Sequence, residues 1–407
     1  MTMPRNCLSR GYAFAPAVRV AAACVAALAG VAPAAAVAAE WIPEASVDLA
    51  SFHDDNPLLT TGAHESTSGY VVVPRFNVKR NTETSKLAVN SYLAHTQYSR
   101  GDIDDQNETE LRLTGENQTT ERNTLGIDGQ LRRDTLFQRV DIGSGVGNLR
   151  DTDIGLSSST LARRTYTTLA PFFKRLLTER DALRVAYRLT DVTFDDAAGT
   201  GLVDYKEHLA SAEFSHQLSE KDSFTVAANV ARYRPSGSST KADTLQLLAG
   251  ISRNFTEATR GYFSVGGSET NQTDQGQEAR SSGVVFITGF EQKSDLSTFE
   301  GVLSRDVTPS GIGRSVQTDQ LRVRWTRKTA PTVDFALQAQ LFRNQVLEGT
   351  APDVDRRYYQ VEPELRWHWL DHWIMSGSYR YRQQKFDVDP SAAKSNTVYL
   401  ALTYTFF

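Results

Sequence analysis

From Ala45 onward the dominant repeat along the chain is two residues rather than the 3.6 of an amphipathic helix, and it comes in stretches of about ten residues. The last stretch shows it most clearly. Between Val398 and Phe406 every even position is large and apolar, while Ala401, Thr403 and Thr405 hold odd positions. The same alternation runs through Leu183, Val185, Tyr187 and Leu189 against Arg184, Ala186, Arg188 and Thr190, and through Leu321, Val323 and Trp325 against Arg322, Arg324 and Thr326. Phe335, Leu337, Ala339 and Leu341 form a further set. Each such strand has one face suited to an apolar surrounding and one that is not. A soluble sandwich alternates too, so the connections have to separate the possibilities.

Those connections are of two kinds, in turn. Short ones carry a near-repeated tetrad, as in Thr120-Glu121-Arg122-Asn123, Thr178-Glu179-Arg180-Asp181 and Ser219-Glu220-Lys221-Asp222, built from residues that bond their own backbone in turns. Between them lie long polar segments: residues 53–68, 133–160, 191–204, 268–281 and 349–356. Short turns on one rim and long loops on the other, joining tilted strands, predict an all-β, antiparallel, up-and-down transmembrane barrel of about 18 strands, with 16 as the alternative. The stretches with the weakest signal are glycine-rich Gly261–Glu269 and Thr109–Glu116. Trp41, Trp325, Trp369, Trp373 and Phe406 all fall beside the short turns, where amphipathic rings suit a lipid–water boundary.

Composition fits this pattern. A net charge of −4 and 40% hydrophobic residues exclude a disordered tail and a nucleic-acid binder. After Glu40 no apolar run reaches the roughly 18 residues that a spanning helix needs, so insertion would have to use strands. Residues 1–39 read as a cleavable secretory signal: Arg5, Arg10 and Arg19, an apolar run from Val20 to Ala29, then small residues through Ala39. Ala36-Val37-Ala38 and Val37-Ala38-Ala39 both suit cleavage, leaving residues 40–407 as the barrel. An uncleaved anchor helix is the rival, opposed by Pro33. Both cysteines, Cys7 and Cys24, lie inside the leader, so the mature chain has no disulfide or thiol chemistry.

The turn tetrads, the His53-Asp54-Asp55-Asn56-Pro57 segment and the closing Tyr404-Thr405-Phe406-Phe407 resemble the β-barrel porins of the bacterial outer membrane, some of which accompany polysaccharide-export machinery. The resemblance implies a barrel of about 18 strands whose terminal aromatics, Tyr404, Phe406 and Phe407, signal insertion to the barrel-assembly machinery. It implies no catalytic residue.

The residues themselves offer little catalysis. His53 with Asp54 and Asp55, His64 with Glu65, His208 with Glu207 and Glu213, and His368 with Glu364 have no diagnostic spacing. The first cluster could hold a divalent cation or bridge lipopolysaccharide, or merely keep a loop solvated. No cofactor, metal or nucleic acid is expected. More informative is the polar face of the strands, where Arg184, Arg188, Arg322, Arg324, Glu362, Glu364, Arg366, Arg380 and Arg382, with Asp48 and Asp128, would line a lumen. Fixed charge there would favour anions or an acidic sugar polymer, unless the arginines and glutamates pair to brace the wall. The expectation is therefore a porin-like outer-membrane channel for small solutes or saccharides, not an enzyme. Its long loops would be extracellular, both termini periplasmic, and outer-membrane lipid and lipopolysaccharide its surroundings. An exopolysaccharide exit port working with export components, and a barrel hydrolase, are the alternatives. The 133–160 segment is the expected constriction; its deletion should raise single-channel conductance, and an unchanged conductance would remove it from that role.

Overall fold

The computed structural model describes residues 40–100, 103–136, 162–195, 201–237, 240–274, 276–347 and 355–406. The leader, most of the 133–160 segment and Phe407 lie outside them. The described residues hold eighteen strands: β1 (Glu40–Asp54), β2 (Thr67–Asn81), β3 (Ser85–Tyr98), β4 (Gln106–Thr120), β5 (Asn123–Thr135), β6 (Arg163–Leu176), β7 (Asp181–Phe194), β8 (Tyr205–Gln217) and β9 (Asp222–Pro235), followed by β10 (Lys241–Thr256), β11 (Thr259–Asp274), β12 (Gln277–Lys293), β13 (Ser297–Pro309), β14 (Ser315–Ala330), β15 (Val333–Val346), β16 (Arg356–Leu370), β17 (Trp373–Phe386) and β18 (Ala393–Thr405). Each pairs with its neighbours in sequence, and β1 pairs antiparallel with β18 from Ser46↔Thr405 to Asp54↔Thr397. The sheet is thus a closed up-and-down barrel with no free edge, as the two-residue repeat predicts.

The tetrads are the short-rim turns, and the first residue of each does the work. The Thr178 hydroxyl accepts the N–H groups of Arg180 and Asp181 at 3.1 and 3.0 Å and donates to the Asp181 carboxylate at 2.6 Å. Ser219 repeats the arrangement with Lys221 and Asp222. Where only two residues connect the strands, as at 121–122, the ladder shifts register beside the turn and the Thr120 hydroxyl accepts from the N–H groups of Arg122 and Asn123.

At the other rim one reading needs correction. Residues 268–281 are not a long loop: β11 and β12 pair as far as Asp274↔Gln277. Strands of 13–17 residues exceed the roughly 9–11 needed to cross a hydrocarbon layer. Beyond that layer outward positions need not be apolar, so Glu269 to Asp274 carry no hydrophobic signal although they are strand.

Alternation sorts the two faces. Leu400 is 64% exposed on the outside, while its neighbour Tyr399 and the next inward residue, Thr397, are buried. Near the short turns the outside carries rings: Trp373 packs 4.7 Å from Tyr404, which meets Phe406 at 4.9 Å, and the Trp325 indole N–H donates to Ser297. Arg80 caps Trp41 at 5.5 Å.

The glycine-rich stretch turns out to be a bend. Inward positions of β10 to β12 include Gly250, Ser264, Gly266, Ser268 and Gly283, and a Cβ at Gly266 would run into the Leu247 carbonyl oxygen. Around Gly266 the inward face is crowded, with Leu248 and Val285 in register on either side, so no side chain fits at that position. Its outward neighbour Gly267 has open space, with nothing nearer than 4.0 Å. Gly266→Ala should therefore lower the temperature at which the barrel unfolds in SDS, a cost of about 1–3 kcal/mol, whereas Gly267→Ala should not; equal behaviour of the two would refute the crowding account.

Candidate functional site: the barrel interior

All nine polar-face candidates lie on the inner side, and most of them meet a partner in the wall. Arg380, 3% exposed, donates to both oxygens of Glu362 (2.7 and 3.3 Å) and to the Tyr399 hydroxyl at 3.2 Å. Arg366 forks onto Glu364 at 2.9 and 2.6 Å. Arg188 reaches Glu207 at 3.3 Å, and the Arg184 guanidinium lies 4.4 Å from the Phe172 ring centre, with Glu213 opposite on β8. Arg322 and Arg324 face Gln340 and Gln338 across the β14–β15 ladder. Asp48 takes Arg75 at 2.7 Å, and Asp128 stands 4.0 Å from Arg112. Bracing of the wall and charge in the lumen are therefore combined in the same residues.

Arg382 joins a cluster that the sequence reading divided wrongly. His53, Asp54 and Asp55 are consecutive, and a strand sends consecutive side chains to opposite faces. His53 points outward to Ser68 at 2.9 Å. Asp54, fully buried, points inward and accepts Arg382 at 2.7 Å, Ser395 at 2.9 Å, Thr397 at 2.8 Å and the Asn56 N–H at 3.0 Å. Asp55 instead takes the Asn396 backbone and side-chain amides. The three thus form no cation site, and no group of three or more His, Cys, Asp or Glu suited to a metal occurs among the described residues. Two further histidine pairs also part, the first by the same alternation and the second because each member has another partner. His208 faces outward to Tyr187 while Glu207 faces inward, and His368 bonds Asp334 at 2.8 Å, leaving Glu364 to Arg366.

Two apolar clusters narrow the loop end from within. Ala50, Phe52, Val71, Val73, Ala94, Tyr98 and Tyr399 line one wall, and the β1–β2 and β3–β4 loops tuck Leu58 and Ile103 against them. The first loop is pinned by Asn56, whose amide donates to the carbonyls of Thr60 and Lys394, both at 2.9 Å. The facing cluster packs Leu202 and Ile312 over Val192, Phe194, Tyr205 and Tyr233.

Ile312 belongs to the β13–β14 loop, which reaches across the mouth rather than along the wall. Its Gly311 carbonyl accepts the Val203 N–H at 2.7 Å, and its Ser310 carbonyl accepts the Tyr233 hydroxyl at 2.6 Å. Gly313 turns this short segment at φ 78°, where other residues would be strained. Lower down, the Gln246 amide on β10 donates to Asp306 on β13 at 2.7 Å, a second cross-link over the bend. This lower link lines a cavity of about 490 Å³. Arg184, Arg188, Glu207 and Ser211 line one side, and Leu248, Val285, Ile287 and Val302 give an apolar floor.

The residues missed by the sequence reading are Asp54 as an inward group, Asp306, Gln246, Tyr233 and Ser310. Asp54 was legible, since it shares parity with Asp48. The links from β10 to β13 and from Tyr233 to Ser310 join residues 60 and 77 positions apart and leave no mark in local pattern.

No family model matches the chain and no curated protein matches it. Among solved structures it is similar to Pseudomonas aeruginosa OccK2 (OpdF) in complex with glucuronate, at 11% identity and TM-score 0.45, covering 90% of this chain and 98% of that one. It is similar too to OpdK with vanillate from the same organism (10%, TM-score 0.44, 89% and 98% covered) and to OprD (9%, TM-score 0.42, 89% and 95% covered). The barrel fold rests on the strand register of this chain and not on these likenesses.

Proposed function

We propose that the mature chain, residues 40–407, is a passive outer-membrane channel for small polar solutes. The observation that carries this is the pairing of a closed sheet, apolar outside between an aromatic rim and a charged one, with a wet interior cavity of about 490 Å³, room for one small solute rather than a protein segment. Hydroxyl, amide and ionic groups above an apolar floor suit a saccharide or another solute with one polar and one apolar side. In this reading the leader is removed, the termini face the periplasm and the loops face outward.

Selectivity would come from the arginines. Glu362, Glu364 and Asp54 pair with Arg380, Arg366 and Arg382, Arg188 meets Glu207, and Glu213 and Glu300 stand opposite Arg184 and Arg324, so the seven inward arginines outnumber the six acids set against them by one. A modest preference for anions follows. A polymer exit port fits less well, because the β13–β14 link stands across the mouth and a moving chain would have to break it. A hydrolase fits less well again, since His53 and His208 point away from the neighbouring acids Asp54 and Glu207.

In planar bilayers the protein should form ohmic pores with anion-over-cation permeability, and Arg322→Gln with Arg324→Gln should reduce that ratio about twofold; a cation-selective reversal potential in the unaltered protein would overturn the anionic reading. Tyr233→Phe combined with Val203→Pro removes both donors that hold the bridging loop. The single-channel conductance should rise, and a conductance equal to that of the unaltered protein would show that this loop does not narrow the path.

A further inference from the structure

On β13 to β17 the outer face changes character within one two-residue step. Leu303, Leu321, Leu341, Tyr359 and Gln383 stand side by side in register, the first four of them apolar or aromatic. The next outward row toward the loops is Arg305, Asp319, Arg343, Arg357 and Lys385. Arg305 takes both oxygens of Asp319, at 2.5 and 2.9 Å, so that acid is already committed. Arg357 touches Asp387 at 3.4 Å, while Arg343 and Lys385 meet no acid among the described residues.

Three cations therefore stand directly opposite one another on three adjacent strands, an arrangement that repels itself unless an anion sits over it. Their place narrows the choice of anion. Immediately beneath them the Tyr359 and Tyr381 rings pack at 5.9 Å, and amphipathic rings of this kind mark the upper boundary of a lipid layer. The row thus lies at headgroup height. Counting Arg343, Arg357 and Lys385 as three positive charges and Asp387 as one negative leaves a surplus of two positive charges among the described residues. A phosphate monoester carries about −1.5 to −2 at neutral pH, and a phosphodiester only one negative charge. Arginine forks bind phosphate bidentately, and lysine adds a point charge.

We propose that the outer faces of β15, β16 and β17 hold the phosphate monoester of a phosphorylated glycolipid in the outer leaflet, gripped by Arg343, Arg357 and Lys385. The inference rests on the lipid-embedded part of the proposed function but not on conduction, so a barrel that passed no current would leave it standing.

The test is native mass spectrometry of the membrane-extracted protein in detergent micelles, titrated separately with bisphosphorylated lipid A, dephosphorylated lipid A, phosphatidylglycerol and inorganic phosphate. The unaltered protein should retain one bisphosphorylated lipid A about tenfold more tightly than the dephosphorylated form or phosphatidylglycerol. Inorganic phosphate should compete only weakly, since it lacks the acyl chains that rest on the apolar belt. The triple variant Arg343→Gln, Arg357→Gln, Lys385→Gln should lose that preference, and Arg343→Lys with Arg357→Lys should keep most of it. Equal retention of the phosphorylated and dephosphorylated lipids by the unaltered protein would overturn the proposal without recourse to any variant. Phosphatidylglycerol binding as tightly as lipid A would overturn the monoester assignment, and a folded triple variant, judged by its heat-modifiable mobility, that retained the preference would overturn the residue assignment.

Discussion

A sheet whose outer face is apolar cannot leave an edge unpaired, because each exposed backbone N–H and C=O would face an environment with nothing to bond. In this chain the requirement falls on the join between β1 and β18, which are more than 300 residues apart. The ladder there is reinforced from inside by Asp54, which collects an arginine from β17, two hydroxyls from β18 and the backbone of the following loop. Such a buried pair adds little net stability over an apolar substitute, yet removal of one partner costs about 3–5 kcal/mol because the other is left charged and dry. Its value is in specificity. It fixes which residue of the first strand meets which residue of the last, and the same acid fixes where the β1–β2 loop leaves the wall.

From closure follows the division of labour between the faces. The outside answers to lipid and is simple, with apolar side chains bounded by rings near the turns and by charges toward the loops. The inside answers to three demands at once: ionic groups must be neutralised, the lumen must stay wet, and the mouth must be narrowed. Arginine–carboxylate pairs meet the first demand on β1, β16 and β17, where Glu362, Glu364 and Asp54 are the acids. Small residues on β10 to β12 meet the geometric need of the tight bend, and the loops folded over Phe52 and Tyr205 take up the third. The cavity lies between these solutions, with fixed charge on one side and an apolar floor on the other.

The period of two in residues 45–407, the alternation of polar tetrads with longer polar segments, and the ring-bearing rim determined the strand number, the antiparallel order and the inward set from Arg184 to Arg382, because strand parity is a local property. Parity also separates His53 from Asp54, a division the sequence could have yielded had the strand been extended one step further. Strand ends in polar sequence such as Glu269–Asp274 escaped detection, since beyond lipid an outward position carries no apolar requirement. Only the tertiary structure decided that Gln246 meets Asp306, that Tyr233 and Val203 hold the β13–β14 loop, and that Arg343, Arg357 and Lys385 share one row. Each of these depends on the curvature of the closed sheet or on the register between separate strands, which the residues along any one strand do not encode.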